Sequence, residues 1–183
     1  MPHYYGDRIV LREYRQEDFE CIRGWVNDPE ITANLSDIFI FPHTASNTEA
    51  YMNFINSKKG LEKTNFIIAN KDTQEYIGQI DLIEVDWRSR FAVLGIVIGT
   101  KGNRGKGYGS EAIKVMQHIV FNVLNLNRLE LEVHDYNKRA IRCYEKCGFK
   151  EEGRLKEKFF HNGEYTDYLI MSILKSDYDE MNK

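Results

Sequence analysis

The stretch that most constrains this chain is Gly95 to Glu111, GIVIGTKGNRGKGYGSE. A strand-like apolar run from Phe91 to Gly99 leads into Arg104-Gly105-Lys106-Gly107-Tyr108-Gly109 and then straight into the clearest helical pattern in the sequence. Glycines let backbone N–H groups approach a ligand with no Cβ in the way. The first N–H groups of a helix have no intrahelical acceptor, and the helix dipole favours negative charge there. Strand, glycine loop and helix in that order therefore predict an anion site suited to phosphate or pyrophosphate. Arg104 and Lys106 add two cations beside it. A P-loop needs GxxxxGK followed by Ser or Thr, but Gly107 follows Lys106 and Thr100 stands where the first glycine belongs. A dinucleotide fingerprint needs a glycine where Ser110 stands and repeated strand–helix–strand units, and the strands before this loop read antiparallel.

The flanking pattern sets the fold class. Arg8 to Tyr14 alternates as a strand, Gln16 to Asn27 has helical spacing ended by Asp28-Pro29, and Leu35 to Ser46 is irregular. Thr48 to Lys58 reads as a second helix with Tyr51, Phe54 and Ile55 on one face. Strands follow at Asn65–Asn70, Tyr76–Val85 and Phe91–Gly99, joined by hairpin-length connections. Tyr108 to Val123 is a helix with Ala112, Val115, Met116, Ile119, Val120 and Val123 as its apolar stripe. Arg128–His134 is a strand, and Asn137–Lys146 is a helix stopped by Gly148. Phe149–His161 and Tyr165–Leu174 close as a hairpin over Asn162-Gly163, the preferred type I′ pair. The sum is an α+β (mixed α/β) domain on one central, mostly antiparallel sheet. We expect a single domain over residues 1–183 with its core at about 8–174, and a chain of this length buries about 70% of its unfolded surface.

Composition removes several classes. Lys plus Arg total 25 against 28 Asp plus Glu, a net charge of −3, which speaks against a general nucleic-acid binder. No apolar run approaches the ~18 residues a membrane span needs, and the first residues lack a signal peptide's flank and core. Cys21, Cys143 and Cys147 make neither a disulfide framework nor a zinc quartet. They read as small buried thiols in a reducing cytoplasm, with no metal implied.

Arg104 to Gly109, followed by a helix, a strand and Asn137-x-x-Ala140-x-x-x-Tyr144-x-Lys146-x-Gly148-Phe149, resembles the GNAT acetyltransferases. GIVIGTKGNRGKGYGSEA, the NxxAxxxYEKCGFKEEG run and FFHNGEYTDYLIMSIL are similar to the ribosomal-protein and spermidine N-acetyltransferase branch. The likeness spans Arg8 to Leu174 and is strongest from Phe91 onward. It implies two splayed parallel strands in the sheet and about four flanking helices. It implies an N-acetyltransferase that moves an acetyl group from acetyl-CoA to a primary amine by direct attack. The implied acceptor is a polyamine or other small amine, or a protein N-terminus; a homodimer is allowed. The implied donor contacts are Ile96, Val97 and Ile98 for the pantetheine arm and Arg104, Gly105, Lys106, Gly107, Tyr108, Gly109 and Ser110 for the pyrophosphate. Asn137 and Tyr144, seven apart and so on nearly one helix face, are the further contacts.

The family pattern makes Tyr144 the acid toward the departing thiolate, and a phenol near pKa 10 stays protonated at neutral pH. A protonated amine cannot attack, so a base is also needed. Many relatives carry a Glu where Val93 stands, which shifts the expectation to Glu84 at the end of its strand, with Asp81 as neighbour; His134 reads as a surface histidine. Residues 1–40 hold eight acids against four arginines, net −4, and residues 101–128 five bases against Glu111, net +4. That asymmetry suits a cationic acceptor at one end and CoA phosphates at the other. Phe39 and Phe41 either line the acceptor pocket or cap the core. The rival is an acyl-CoA-binding sensor without turnover, favoured by Val93 and opposed by Tyr144.

Overall fold

The computed structural model describes residues 3–183. Its contacts group the chain into two compact units, one running to Asp81 and including Ile96–Val115, the other made of Leu82–Gly95 and Met116–Lys183.

In the first unit, β1 (Tyr4–Tyr5), β2 (Ile9–Arg12), β3 (Asn65–Asn70) and the start of β4 (Tyr76–Asp86) lie side by side in that order. All three pairings are antiparallel, with Val10 opposite Ala69 and Phe66 opposite Ile80. The helices α1 (Asp18–Arg23), α2 (Pro29–Thr32) and α3 (Ala45–Ser57) belong to this unit, as does the start of α4 (Tyr108–His118). Val10, Tyr14, Ile22, Trp25, Ile55 and Ile67 bury one shared core. Arg12 is buried as well and lies bidentate on Asp18, with both N···O distances 2.8 Å. That pair ties β2 to the first turn of α1, and Asp18 also accepts the Arg15 N–H at 2.8 Å.

Three sequence expectations shift here. The helix expected over Gln16–Asn27 is regular only from Asp18 to Arg23 and continues as turns. Asp28-Pro29 does not merely stop it. The Asp28 side chain accepts the Glu30 N–H and Pro29 opens α2, because proline's missing N–H costs nothing at the first helical position. The third helix starts at Ala45 rather than Thr48, set by reciprocal capping between Thr44 and Asn47. Phe39 packs on Trp25 with ring centroids 5.7 Å apart, whereas Phe41 is 78% exposed, so only the first caps the core.

In the second unit the remainder of β4, then β5 (Phe91–Val97), β6 (Arg128–His134), β8 (Glu164–Leu174) and β7 (Lys150–His161) follow one another across the sheet. β6–β8 and β7–β8 are antiparallel, and the hairpin turns over Asn162 (φ 51°) and Gly163 (φ 89°), as a type I′ turn requires. β7 and β8 slip register between Leu155 and Phe159, and β7 ends the sheet. β5 and β6 are parallel and pair only at Phe91–Val93 against Arg128–Glu130. β5 then runs on to Val97 and β6 to His134 beyond the last pair. The expected opening between two parallel strands is present.

The expected helix to Val123 changes type. After His118 the chain makes a π turn over Ile119–Val123, with Leu124 N–H bonded to the Ile119 carbonyl at 2.8 Å. The extra residue rotates the stripe, so Phe121 is buried and Val123 is 50% exposed. α5 (Lys138–Lys146) begins one residue later than expected. α6 (Lys175–Met181), not foreseen, packs Met181 against Gly148, where a Cβ would sit 2.4 Å from its sulfur. Six α-helices among the described residues thus replace the expected four. No helix among the described residues is long and apolar enough to cross a membrane.

Candidate active site

The first unit carries the glycine loop. β5 enters it through Val97 and Ile98, and both flanking glycines are required by packing. A Cβ on Gly78 would lie 2.2 Å from the Val97 carbonyl oxygen, and one on Gly99 would lie 2.4 Å from the Trp25 ring. Ile96, Val97 and Ile98 are each partly exposed, so this stretch is not plain sheet core, and Ile98 already lies past the end of β5. A short 3-10 turn over Lys101–Asn103 follows, then Arg104.

Gly105 and Gly107 take φ of +75° and +86°, which side chains rarely adopt, and a Cβ on Gly105 would meet open space. The left-handed geometry, not crowding, selects glycine at Gly105. Tyr108, Gly109 and Ser110 form the first turn of α4. Arg104 is 13% exposed, 3.9 Å from Glu30, and its Nη2 is buried with no hydrogen-bond partner. A buried guanidinium N–H lacking an acceptor beside two left-handed glycines fits an incoming anionic oxygen. Lys106 is exposed. The residues present therefore fit the pyrophosphate of a CoA-type donor.

Sequence reasoning missed what holds this loop from behind. Glu111 accepts from the backbone N–H of Arg8 at 2.7 Å and of Ile9 at 3.2 Å, and from Arg8 Nε at 2.9 Å. Arg8 Nη1 donates to the Lys106 carbonyl at 3.0 Å, and its guanidinium lies 4.7 Å above the Tyr108 ring. The available signal was an acid in the first turn of a helix otherwise suited to an anion.

The same unit holds a buried polar network. Trp25 Nε1 donates to Tyr76 Oη (2.8 Å), which donates to Gln79 Oε1 (3.1 Å); Gln79 Nε2 donates to Tyr14 Oη (2.7 Å), which reaches Asp81 at 3.5 Å. Asp81 also accepts from Asn65 and from the Phe66 N–H, with Tyr51 and Lys58 nearby. Burial outweighs those bonds and pushes its carboxyl up to about 7.

In the second unit, Asn137 caps α5 rather than standing within it, its side-chain oxygen accepting from the Ala140 N–H at 3.2 Å. The expected two-turn helical spacing from Asn137 to Tyr144 is therefore shortened at its start. Tyr144 sits in the last turn of α5, 6.0 Å from the Phe149 ring. Burial, then Cys143, Tyr168 and Cys147, push its hydroxyl well above the usual phenol range. Glu84 is exposed near the end of β4. His134 is 6% exposed and packed among Tyr136, Phe159 and Tyr168, not at the surface as expected. Cys147 is buried and Cys143 partly so, but Cys21 is exposed, against expectation. Among the described residues no group of three His, Cys, Asp or Glu side chains is placed to hold a metal ion.

Residues 8–150 match the family model described as "Acetyltransferase (GNAT) domain". This chain belongs to the GNAT acetyltransferase family. It is 41% identical to the spermidine N(1)-acetyltransferase of Vibrio cholerae over 176 residues, 94% of this chain and 96% of that one. It is 31% identical to the uncharacterized N-acetyltransferase p20 of Bacillus licheniformis, covering 97% of this chain and 99% of that one. Among solved structures, the spermidine N-acetyltransferase from Vibrio cholerae in complex with CoA and spermine superposes with a TM-score of 0.80 at 29% identity, over 93% of this chain and 98% of that one. The α+β GNAT fold and acetyl-CoA-dependent N-acetyltransferase activity follow, and the turnover-free sensor is not favoured.

Proposed function

We propose that this enzyme acetylates a primary amine of a polyamine, acting in the cytoplasm as a single domain. The observation that carries the donor half is the end of β5–β6 pairing at Val93 and Glu130, with the chain then leading to a glycine loop that holds an unpartnered Arg104 Nη2. The β6-facing edge of β5, no longer paired with β6 from Leu94 onward, suits an extended amide-bearing arm, and the loop suits its diphosphate. The donor supplies the activated acetyl thioester. Arg104 to Ser110 hold the anionic end and Ile96 to Ile98 orient the arm, with Asn137 a further contact through its side-chain N–H₂. The acceptor reading is supported by the polyamine-acetylating relatives and by the net −4 of residues 1–40. A homodimer fits the same reading.

Tyr144 keeps its proton at neutral pH and donates a hydrogen bond toward the departing sulfur. Glu84, in contact with water, accepts the amine proton in one reading. The raised carboxyl of Asp81 favours a second, in which Asp81 takes that role, because a base near the operating pH works best. The pH profile of kcat/KM separates them. If Asp81 is the base, the wild type shows an acid limb centred near 7 that Asp81→Asn abolishes and Glu84→Gln leaves in place. The reverse result assigns Glu84.

Folding stability gives an independent check on Asp81. A carboxyl raised from 3.8 to about 7 on folding keeps its proton in the native state while the unfolded chain loses it. Stability therefore falls as pH rises between those values, by at most about 4 kcal/mol. Asp81→Asn is expected to flatten that slope, read as Tm against pH.

The function itself is tested by CoA thiol release with spermidine, aminoglycosides and short peptides as acceptors. The highest kcat/KM is expected with spermidine. Thermal stabilisation by acetyl-CoA with no thiol release from any amine would overturn turnover, and preference for a peptide would overturn the acceptor.

A further inference from the structure

We infer that Arg8 is a positioning residue for the donor diphosphate: it neutralises Glu111 and fixes Gly107, so that an acidic first turn can still serve as an anion cradle. The inference rests on the glycine loop being the diphosphate site.

Two negative charges would meet at this helix N-terminus. A carboxylate in the first turn of α4 gains from the helix dipole for itself, and it repels any second anion brought to the same N-terminus. Glu111 stands four residues after Gly107 and donates its N–H to the Gly107 carbonyl at 3.0 Å, so its charge sits within one turn of the loop. Left free, it would compete with a ligand phosphate for the same dipole and for Arg104 and Lys106.

The geometry removes that competition. Both Glu111 oxygens are engaged by Arg8, with Oε1 on the Arg8 and Ile9 backbone N–H groups and Oε2 on Nε and Nη2, each at 2.9 Å. Glu111 is consequently turned toward the start of β2, with its side chain only 14% exposed. The remaining arm of the same guanidinium, Nη1, holds the Lys106 carbonyl. Its Nη2 lies 3.3 Å from where a Cβ on Gly107 would be, so the fork sits beside the left-handed residue of the loop and leaves little room for a side chain there. Stacking over Tyr108 completes the contacts. A flat guanidinium with several directed donors can do this, and an ammonium cannot. The Nε, Nη1 and Nη2 of Arg8 each contact a protein group, which places it to act through Glu111 and the loop backbone.

The test compares acetyl-CoA with S-acetylpantetheine, a donor that carries the thioester but no diphosphate. The readout is the ratio of kcat/KM for the two donors in the wild type, Arg8→Gln, Glu111→Gln and the double variant. Arg8→Gln frees the Glu111 charge and is expected to lower the ratio about tenfold, through KM for acetyl-CoA rather than kcat. The double variant removes the freed charge and is expected to bring the ratio back to within about threefold of wild type. Arg8→Lys, which keeps the charge but not the fork, is expected to fall between and guards against a folding defect in Arg8→Gln. An equal loss with both donors, or a double variant no better than Arg8→Gln, would overturn the inference. If the wild type shows no preference for acetyl-CoA over the truncated donor, the diphosphate site falls and Arg8's role falls with it.

Discussion

Replacing Arg12 by alanine is expected to lower the unfolding free energy by about 3–5 kcal/mol, the usual cost of leaving one member of a buried ion pair uncompensated. Arg12 and Asp18 each have side chains only 3% exposed, so Asp18 would gain no water in exchange for its lost partner. Arg12 also donates to the Glu13 and Gln74 carbonyls at 2.8 and 3.1 Å, and both would lose a charged donor. The measurement is urea unfolding, where the midpoint should fall with the slope unchanged. Asp18→Asn keeps an acceptor for Arg15 and should cost less. Arg12→Met with Asp18→Leu should recover much of the loss, since an apolar pair leaves no charge buried. A midpoint shift under one-fifth of that expected would mean the pair is not the anchor between β2 and α1.

The second large effect is catalytic. Tyr144→Phe is expected to reduce kcat about 10²-fold, the low end for a lost general acid, while acetyl-CoA affinity stays within about twofold. The modest size has a cause in the site. Burial raises the Tyr144 hydroxyl, so complete transfer to a thiolate with an ordinary pKa of about 8.5 runs uphill. Its contribution is then a hydrogen bond to developing charge rather than an early proton transfer. Stopped-flow or steady-state thiol release gives kcat, and equilibrium titration with acetyl-CoA gives the affinity. An unchanged kcat would remove Tyr144 from the acid role.

The parts that could be read from the sequence are those encoded locally. Gly105 and Gly107 announced a loop of left-handed residues before a helix, and Asn162-Gly163 announced a type I′ hairpin. Strand alternation located β3, β4, β5, β6 and β8 to within a few residues. What escaped depends on partners distant in the chain or on chemistry without a fixed letter. Arg8 and Glu111 are 103 residues apart, and neither is unusual in its own window. Asp81 looks like any strand acid until Tyr14, Tyr51 and Asn65 close around it. The Thr44–Asn47 cap replaces the usual third-position Glu or Gln with Asn, so the sequence pattern points to a start of α3 three residues late. The π turn after His118 adds one residue to a turn without any Gly or Pro to mark it.

Where β5 parts from β6, a molecule gripped by main-chain amides is indifferent to which side chains those amides belong to. Buried Leu94 and partly exposed Ile96 and Val97 would then be free to vary with their packing while such a grip stayed constant. Under the proposed mode of donor binding, side-chain changes along this strand would leave the grip intact and the acceptor end free to be retuned.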